Sequence, residues 1–164
     1  MTFFHIALIA ATFLCSLVAG FLFAFAVVVM PGIRSLDDGD FIRAFRAIDG
    51  VIQRNQPLFM FVWVGSMLSL VALALAGMWT LTGVSRLLLI LAALVYILGV
   101  QAPTVRVNIP LNNQLQRIDP GTMSDTARRS ARDDFEQRWN QWNAFRTVCA
   151  SVVSGLLVVL LLRM

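Results

Sequence analysis

The stretch Arg106-Val107-Asn108-Ile109-Pro110-Leu111-Asn112-Asn113 places an arginine and three amides at the end of an otherwise apolar segment. Residues 87–105 carry no charged side chain, and about twenty apolar residues span the hydrocarbon core of a bilayer. Asn108 and Asn112 are four residues apart and therefore share one face of a helix. The pattern predicts a membrane-spanning helix with a polar end.

Two prolines interrupt this helix, and each removes a backbone N–H and frees the carbonyl four residues earlier. Pro103 and Pro110 therefore predict kinks, while Gln101 and Thr104 continue the polar face into the apolar segment. Two interpretations remain open here. The amides join helices and Arg106 anchors the segment at the interface, or the polar groups form a ligand site, as intramembrane polar groups often do.

Composition indicates an integral membrane protein. Hydrophobic residues make up 59% of the chain and charged residues 13%, against about 25% charged residues in soluble domains. The apolar runs are continuous rather than alternating, which favours helices over a β-barrel. The thirteen basic residues are all arginines, and those of residues 128–132 are followed at once by acidic residues, so no nucleic-acid partner is expected.

Four apolar runs predict an all-α, four-helix transmembrane bundle in a single membrane domain, residues 1–164. The predicted spans are about 5–30, 58–79, 87–108 and 142–162. Cys15 and Cys149 lie inside apolar runs, and no clustered ligands have metal spacing, so neither disulfide nor metal nor cofactor is predicted.

Two further helical patterns lie outside the spans. Between spans 1 and 2, Asp37 and Asp38 offer N-caps to an amphipathic interfacial helix, whose apolar face carries Phe41, Phe45, Ile48 and Ile52. Ser124 begins a second helix, which we expect to be a cytosolic extension leading into span 4, with pairing of Arg132 and Glu136.

The start of the fourth span carries a mixed polar and aromatic face. At 100° per residue, one face of about 120° holds Glu136, Trp139, Trp142, Asn143 and Arg146. An aromatic belt with an anchoring arginine is one interpretation. A binding site is the other, and it is favoured because belts need neither an amide nor a carboxylate.

Arginine placement predicts the topology. Loops 31–56 and 106–146 contain eleven arginines, whereas the opposite side has only Arg86 and Arg163. The positive-inside rule therefore predicts cytoplasmic long loops and external termini, in a bacterial inner membrane. Polar groups from all four helix ends can converge at the cytoplasmic level, and His5 lies about 35 to 40 Å away along its helix.

Four motifs together resemble the anthrone oxygenase-like family of small membrane proteins, most of which form a domain of unknown function. They are Val27-Val28-Val29-Met30-Pro31, Gln53-Arg54-Asn55-Gln56-Pro57-Leu58-Phe59, Val107-Asn108-Ile109-Pro110-Leu111-Asn112-Asn113 and Trp139-Asn140-Gln141-Trp142-Asn143-Ala144-Phe145-Arg146. The resemblance covers nearly the whole chain. It implies a four-helix membrane domain whose characterised relatives are oxidoreductases that convert an anthrone to an anthraquinone with O₂ and no evident cofactor.

Such a monooxygenase must remove a weakly acidic C–H proton and stabilise the resulting enolate in a dry pocket. The catalytic candidates are Arg146, Asn143, Asn108 and Asn112 for the oxyanion, with Glu136 as the base and Asp49 as a second candidate base. The substrate-binding candidates are Trp139, Trp142, Asn113, Arg106 and Asn55. The expected partners are O₂, a hydrophobic anthrone-, phenol- or quinol-like molecule, and membrane lipids, and the oligomeric state is left open.

A non-catalytic function is the alternative, in which the protein binds a lipid, a small hydrophobic ligand or a partner protein. An enclosed, largely apolar cavity with the polar candidates in its walls would favour the enzyme.

The topology can be tested by cysteine labelling. A cysteine at Thr126 should resist an impermeant thiol reagent added to intact cells, because loop 106–146 is predicted to be cytoplasmic. A cysteine at Thr82, in the short connection between spans 2 and 3, serves as the externally labelled control. Labelling of the Thr126 variant alone would reverse the assignment.

Overall fold

The computed structural model describes residues 2–164, which form five helices and one short 3₁₀ turn. The helices are α1 (Phe3–Arg34), α2 (Asp38–Gln53), α3 (Pro57–Thr80), α4 (Gly83–Gln116) and α5 (Asp125–Leu162), and the turn is Pro120–Thr122. Four of them, α1, α3, α4 and α5, are long and apolar enough to cross a membrane. The all-α class with four long apolar helices is thereby confirmed.

Side-chain caps fix where the helices begin. Asp37 accepts a hydrogen bond from the Asp40 N–H at 2.8 Å, which lowers the pKa of the Asp37 carboxyl below its usual range. Gln56 caps α3 by accepting from the Phe59 N–H, and Ser124 caps α5. Each cap satisfies a backbone donor that the first helical turn leaves free.

Helices α1 and α4 continue past their internal prolines because a π-helical turn precedes each proline. Phe25–Val29 precedes Pro31 in α1, and Tyr96–Gln101 and Thr104–Asn108 precede Pro103 and Pro110 in α4. A π turn bonds residue i to residue i+5 and widens the helix, which accommodates the missing proline N–H without ending the helix. The spans predicted to end near residues 30 and 108 are therefore parts of longer helices, which continue to Arg34 and Gln116.

The four long helices form a ring in which α1 packs on α3 and α5, and α4 packs on α5 and on the adjoining half of α3. Their main core contains fully buried residues from all four helices, including Leu8, Cys15, Leu70, Ala92, Tyr96 and Val153. Two hydrogen bonds join α3 to α4: Ser66 Oγ with Tyr96 Oη at 2.6 Å, and Trp63 Nε1 donating to Gln101 Oε1 at 3.1 Å.

Helix α2 closes one end of the ring. Its residues Phe41 and Phe45 are fully buried in a second apolar cluster with Leu115, Phe135 and Trp139. The amphipathic helix expected between the first two spans is thus present and packs its apolar face on α4 and α5. Its position relative to a membrane surface remains a prediction. Helix α5 is unbroken over 38 residues, so the predicted extension and the fourth span are one helix.

The close approach between α4 and α5 explains why residue 99 is a glycine. A Cβ atom at Gly99 would lie 2.6 Å from the Sγ and 3.0 Å from the Cβ of Cys149. A larger residue would therefore force the two helices apart.

Replacing Gly99 with alanine should destabilise the protein, because overpacking costs about 1–3 kcal/mol and outweighs the helix-propensity gain of about 1 kcal/mol. The matched control is Gly20→Ala in α1, where nothing lies within 4 Å of the added Cβ. Thermal unfolding in detergent measures both. Equal melting temperatures for the two variants would contradict the close packing at Gly99.

Candidate functional site

A cavity of about 200 Å³ lies between the four long helices at the end closed by α2. Most of its wall is apolar, and a minority of polar side chains interrupts it. The polar residues in the wall are Asp49, Thr104, Asn108, Asn112, Asn143 and Arg146.

Aromatic rings make up much of the apolar wall. On one side Phe21 packs against Phe59 with ring centroids 5.1 Å apart, and Phe59 stacks on Trp63 at 5.5 Å and 21°. On the other side Trp139 packs against Phe25 at 5.6 Å and against Phe45 at 5.5 Å. Rings packed on one another in this way make these two sides of the cavity wall apolar.

Helix α4 supplies a ladder of polar side chains spaced four residues apart: Thr104, Asn108, Asn112 and Gln116. We call these four residues the α4 ladder. Asn108 Nδ2 donates to the Trp139 carbonyl at 3.4 Å, and Asn112 Oδ1 accepts from Trp139 Nε1 at 2.7 Å. The ladder therefore attaches α4 to α5 along the cavity.

Arg146 is a buried cation held by neutral partners. It is 4% exposed, and its guanidinium donates to Thr104 Oγ1 at 2.9 Å and to Asn143 Oδ1 at 3.0 Å. Asn143 Nδ2 in turn donates to the Leu22 carbonyl of α1 at 3.1 Å. No carboxylate of residues 2–164 forms an ion pair with Arg146. A cation desolvated in this way binds strongly to an anionic oxygen that enters the cavity.

Asp49 is a buried anion held by neutral partners. It is 3% exposed. Its Oδ1 accepts from Asn112 Nδ2 at 2.7 Å, and its Oδ2 accepts from Gln116 Nε2 at 2.8 Å and from Gln53 Nε2 at 3.3 Å. All three donors are uncharged amides.

Two buried polar atoms of residues in the cavity wall have no hydrogen-bond partner among residues 2–164. They are Arg146 Nε and Asn108 Oδ1. Buried polar atoms are nearly always satisfied in native proteins, so a wall with one unused donor and one unused acceptor suits a polar ligand group or water.

The structure brings six of the sequence candidates to this cavity: Asp49, Asn108, Asn112, Trp139, Asn143 and Arg146. Trp142 does not line it and packs edge-on against Phe145 at 5.7 Å. Asn113 accepts from Gln53 Nε2 at 3.0 Å outside the cavity. Arg106 and Asn55 are exposed and also lie outside it.

Glu136, the first candidate base, also lies away from the cavity, because an arginine network holds it. Its Oε2 is 2.8 Å from Arg132 Nε, and its Oε1 is 3.7 Å from Arg34 Nε. Arg132 further binds Asp38 Oδ1 at 3.1 Å and the Leu36 and Arg34 carbonyls at 2.9 and 2.8 Å. Glu136 therefore orients an arginine that fastens the end of α1 and the start of α2 to α5.

Sequence reasoning missed the aromatic wall. Phe21 and Phe25 are four residues apart, as are Phe59 and Trp63, so each pair shares a helix face. This spacing is a usable signal, but aromatic residues are common in apolar spans and nothing in the sequence separates these from lipid-facing ones. His5 lies at the opposite end of the bundle, near Met164.

The fold and the cavity define a class of small all-α protein, with four helices long and apolar enough to cross a membrane and a buried site of aromatic and polar walls. Within that class, the chain belongs to the anthrone oxygenase family, whose sequence profile matches residues 54–156, more than half of the chain. No curated protein matches the chain with significance, and no solved structure does so. The matched segment contains the α4 ladder, Asn143 and Arg146, whereas α2 and Asp49 precede it.

The structural role of Glu136 can be tested with Glu136→Gln. Loss of a charged hydrogen bond to Arg132 should lower stability by roughly 1–2 kcal/mol. Affinity for a ligand in the cavity should change by less than about 0.5 kcal/mol, because Glu136 is not in its wall. Melting and quenching of tryptophan fluorescence by anthraquinone measure the two effects. The matched control is Asp133→Asn, on the exposed side of the same helix. Loss of ligand binding in a folded Glu136→Gln protein would contradict this assignment.

Proposed function

We propose that the protein is a membrane-embedded, cofactor-independent oxygenase that oxidises a hydrophobic anthrone-, phenol- or quinol-like molecule with O₂. The observation that supports this most directly is Arg146, a cation buried in an aromatic cavity with neutral partners and one unused donor. Membership of the anthrone oxygenase family agrees with it.

The chemistry requires an electron-rich intermediate. Loss of a proton from a weakly acidic methylene gives an enolate, whose oxygen carries the negative charge. O₂ then adds at carbon to form a hydroperoxide, and loss of water leaves a carbonyl, so that CH₂ and O₂ become C=O and H₂O. A guanidinium stabilises the enolate far more strongly in a desolvated cavity than in water.

The cavity walls favour a flat aromatic substrate over a lipid. Rings from α1, α3 and α5 surround the space, and its volume of about 200 Å³ is below the roughly 300–1,000 Å³ of pockets for drug-sized ligands. A compact ring system fits such a space better than a branched lipid does.

The proposed access route is from the bilayer, between α3 and α4. The Trp63–Gln101 hydrogen bond joins these helices beside the cavity. Beyond it toward α2, the wall consists of Phe59 and Met60 on α3 and Ile109 on α4. Ile109 is 42% exposed, so the cavity wall reaches an apolar outer surface. With the four long helices in a membrane, a hydrophobic molecule dissolved in lipid would meet this surface.

Substitution of Arg146 tests the mechanism. We expect activity to fall in the order wild type, Arg146→Lys, Arg146→Gln, because lysine keeps the charge without the guanidinium geometry and glutamine loses the charge. Loss of an oxyanion donor typically costs about a hundredfold to a thousandfold in rate. The assay is O₂ consumption with anthrone in nanodiscs, corrected for spontaneous autoxidation.

Arg106→Gln is the matched control, since Arg106 is an exposed arginine of α4 outside the cavity. It should keep the wild-type rate. Equal rates for wild type and a folded Arg146→Gln variant would remove Arg146 from the mechanism. Binding of anthraquinone without any protein-dependent oxidation of an anthrone would favour a non-catalytic ligand-binding protein.

A further inference from the structure

We propose that Asp49 is the catalytic base, and that its Oδ1 atom accepts the substrate proton. This inference rests on the proposed function and assigns a residue to its first step. Asp49 lines the cavity and therefore can touch the substrate directly.

Position separates Asp49 from the other acidic residues. It is the one carboxylate in the cavity wall among residues 2–164. Glu136, which lies on the same helical face as Trp139, is bound by Arg132 and Arg34 outside that wall. A base must come within hydrogen-bond reach of the proton that it removes, and Asp49 meets this requirement.

The hydrogen bonds of Asp49 leave one acceptor position free. A carboxylate has about four lone-pair positions, two on each oxygen. Oδ2 accepts two hydrogen bonds, from Gln116 and Gln53, whereas Oδ1 accepts one, from Asn112. The remaining position on Oδ1 is available for a proton, and no arginine of residues 2–164 neutralises the carboxylate.

The two buried charged side chains, Arg146 and Asp49, bind the α4 ladder at different positions along the helix. Arg146 contacts Thr104, and Asp49 contacts Asn112 and Gln116. Thr104 and Asn112 are eight residues apart, which corresponds to about 12 Å along a helix. A ring between the two charges can direct an oxygen toward Arg146 and an acidic C–H toward Asp49. The structure thus favours substrates whose oxygen and acidic carbon lie on opposite sides of a ring.

The proton balance closes without another group. The C–H bond breaks, its proton moves to Asp49 Oδ1, and its electron pair is delocalised onto the oxygen near Arg146. O₂ adds at the carbanion carbon to give a peroxide anion, which takes the proton from Asp49 and leaves Asp49 a carboxylate again. The second C–H bond then breaks and its electron pair forms the carbonyl, while the O–O bond breaks and the departing hydroxide combines with the second C–H proton as water.

Asp49 also ties α2 to α4, so the test must separate catalysis from structure. Full-length protein in nanodiscs is mixed anaerobically with anthrone, and enolate formation is followed by its visible absorbance. Quenching of tryptophan fluorescence by anthraquinone reports binding, and O₂ consumption reports turnover. Asp49→Asn should bind anthraquinone as the wild type does but form enolate at least about a hundredfold more slowly, the usual contribution of a general base.

Asn113→Ala is the matched control. It removes the hydrogen bond that Asn113 Oδ1 of α4 accepts from Gln53 Nε2 of α2 outside the cavity. It keeps the Asp49 carboxylate with its donors Asn112 and Gln116, so enolate formation should stay close to the wild-type rate. An equal loss in Asn113→Ala and Asp49→Asn would show that Asp49 acts only in structure. If Asp49→Asn does not fold, Asp49→Ala replaces it, and added formate should restore enolate formation. Failure of formate in folded protein would overturn the proposal.

The outcomes for Asp49 and for the proposed function differ. Suppose that the wild-type protein consumes O₂ with anthrone and that a folded Asp49→Asn variant forms enolate as fast as the wild type does. This result would overturn the role of Asp49 alone. Wild-type protein that binds anthraquinone but neither forms enolate nor consumes O₂ overturns the proposed function and the base together.

Discussion

The side-chain hydrogen bonds of the α4 ladder hold this end of the bundle together. Polar side chains at four-residue spacing attach α4 to Arg146 and Trp139 of α5 and to Asp49 of α2. In an apolar environment such bonds have little competition from water, so each group needs a protein partner. Because the partners come from different helices, the ladder fixes the helices at a distance from one another. The space that remains between them is the cavity.

Arg146 and Asp49 are held apart, which stabilises the protein less than a direct ion pair between them would. A buried cation and a buried anion gain most by direct pairing, and each costs several kcal/mol to desolvate when it is held apart. Here neutral amides and one hydroxyl hold Arg146 and Asp49 at separate positions of α4. Groups with such environments cluster at functional sites, because a charge without a fixed counterion can respond to a substrate.

Hydropathy and periodicity predicted most of the fold. Long apolar runs define α1, α3, α4 and α5, and the spacing of Phe41 and Phe45 gives the buried face of α2. The sequence showed which backbone donors Pro103 and Pro110 remove. It did not show that π turns would carry the helix past both prolines, since that depends on the packing of neighbouring helices.

The site was only partly predictable for a geometric reason. A helical wheel gives the direction of a side chain but not which helix lies opposite, so it grouped Glu136 with Trp139 and Arg146. Glu136 lies about one turn before Trp139 in α5, and there its carboxylate accepts a hydrogen bond from Arg132 instead of lining the cavity. At 100° per residue, Asp49 lies about 40° from Phe45, on the flank of the apolar side of α2, but a wheel does not show which helix packs against that side. It is buried because Asn112 and Gln116 of α4 pack against that side.

The unbroken course of α5 limits how the molecule can move. A continuous helix of 38 residues has no hinge, whereas α2 is joined to its neighbours by residues 35–37 and 54–56, with Asn55 in the left-handed conformation at φ 56°. A displacement of α2 would have to take place at these two connections, and it would carry Asp49 away from Asn112 and Gln116. It would also pull Phe41 and Phe45 out of their apolar cluster and separate Asp38 from Arg132. The proposed entry between α3 and α4 needs no such displacement, so a substrate that entered there would meet a carboxylate whose hydrogen bonds are already formed.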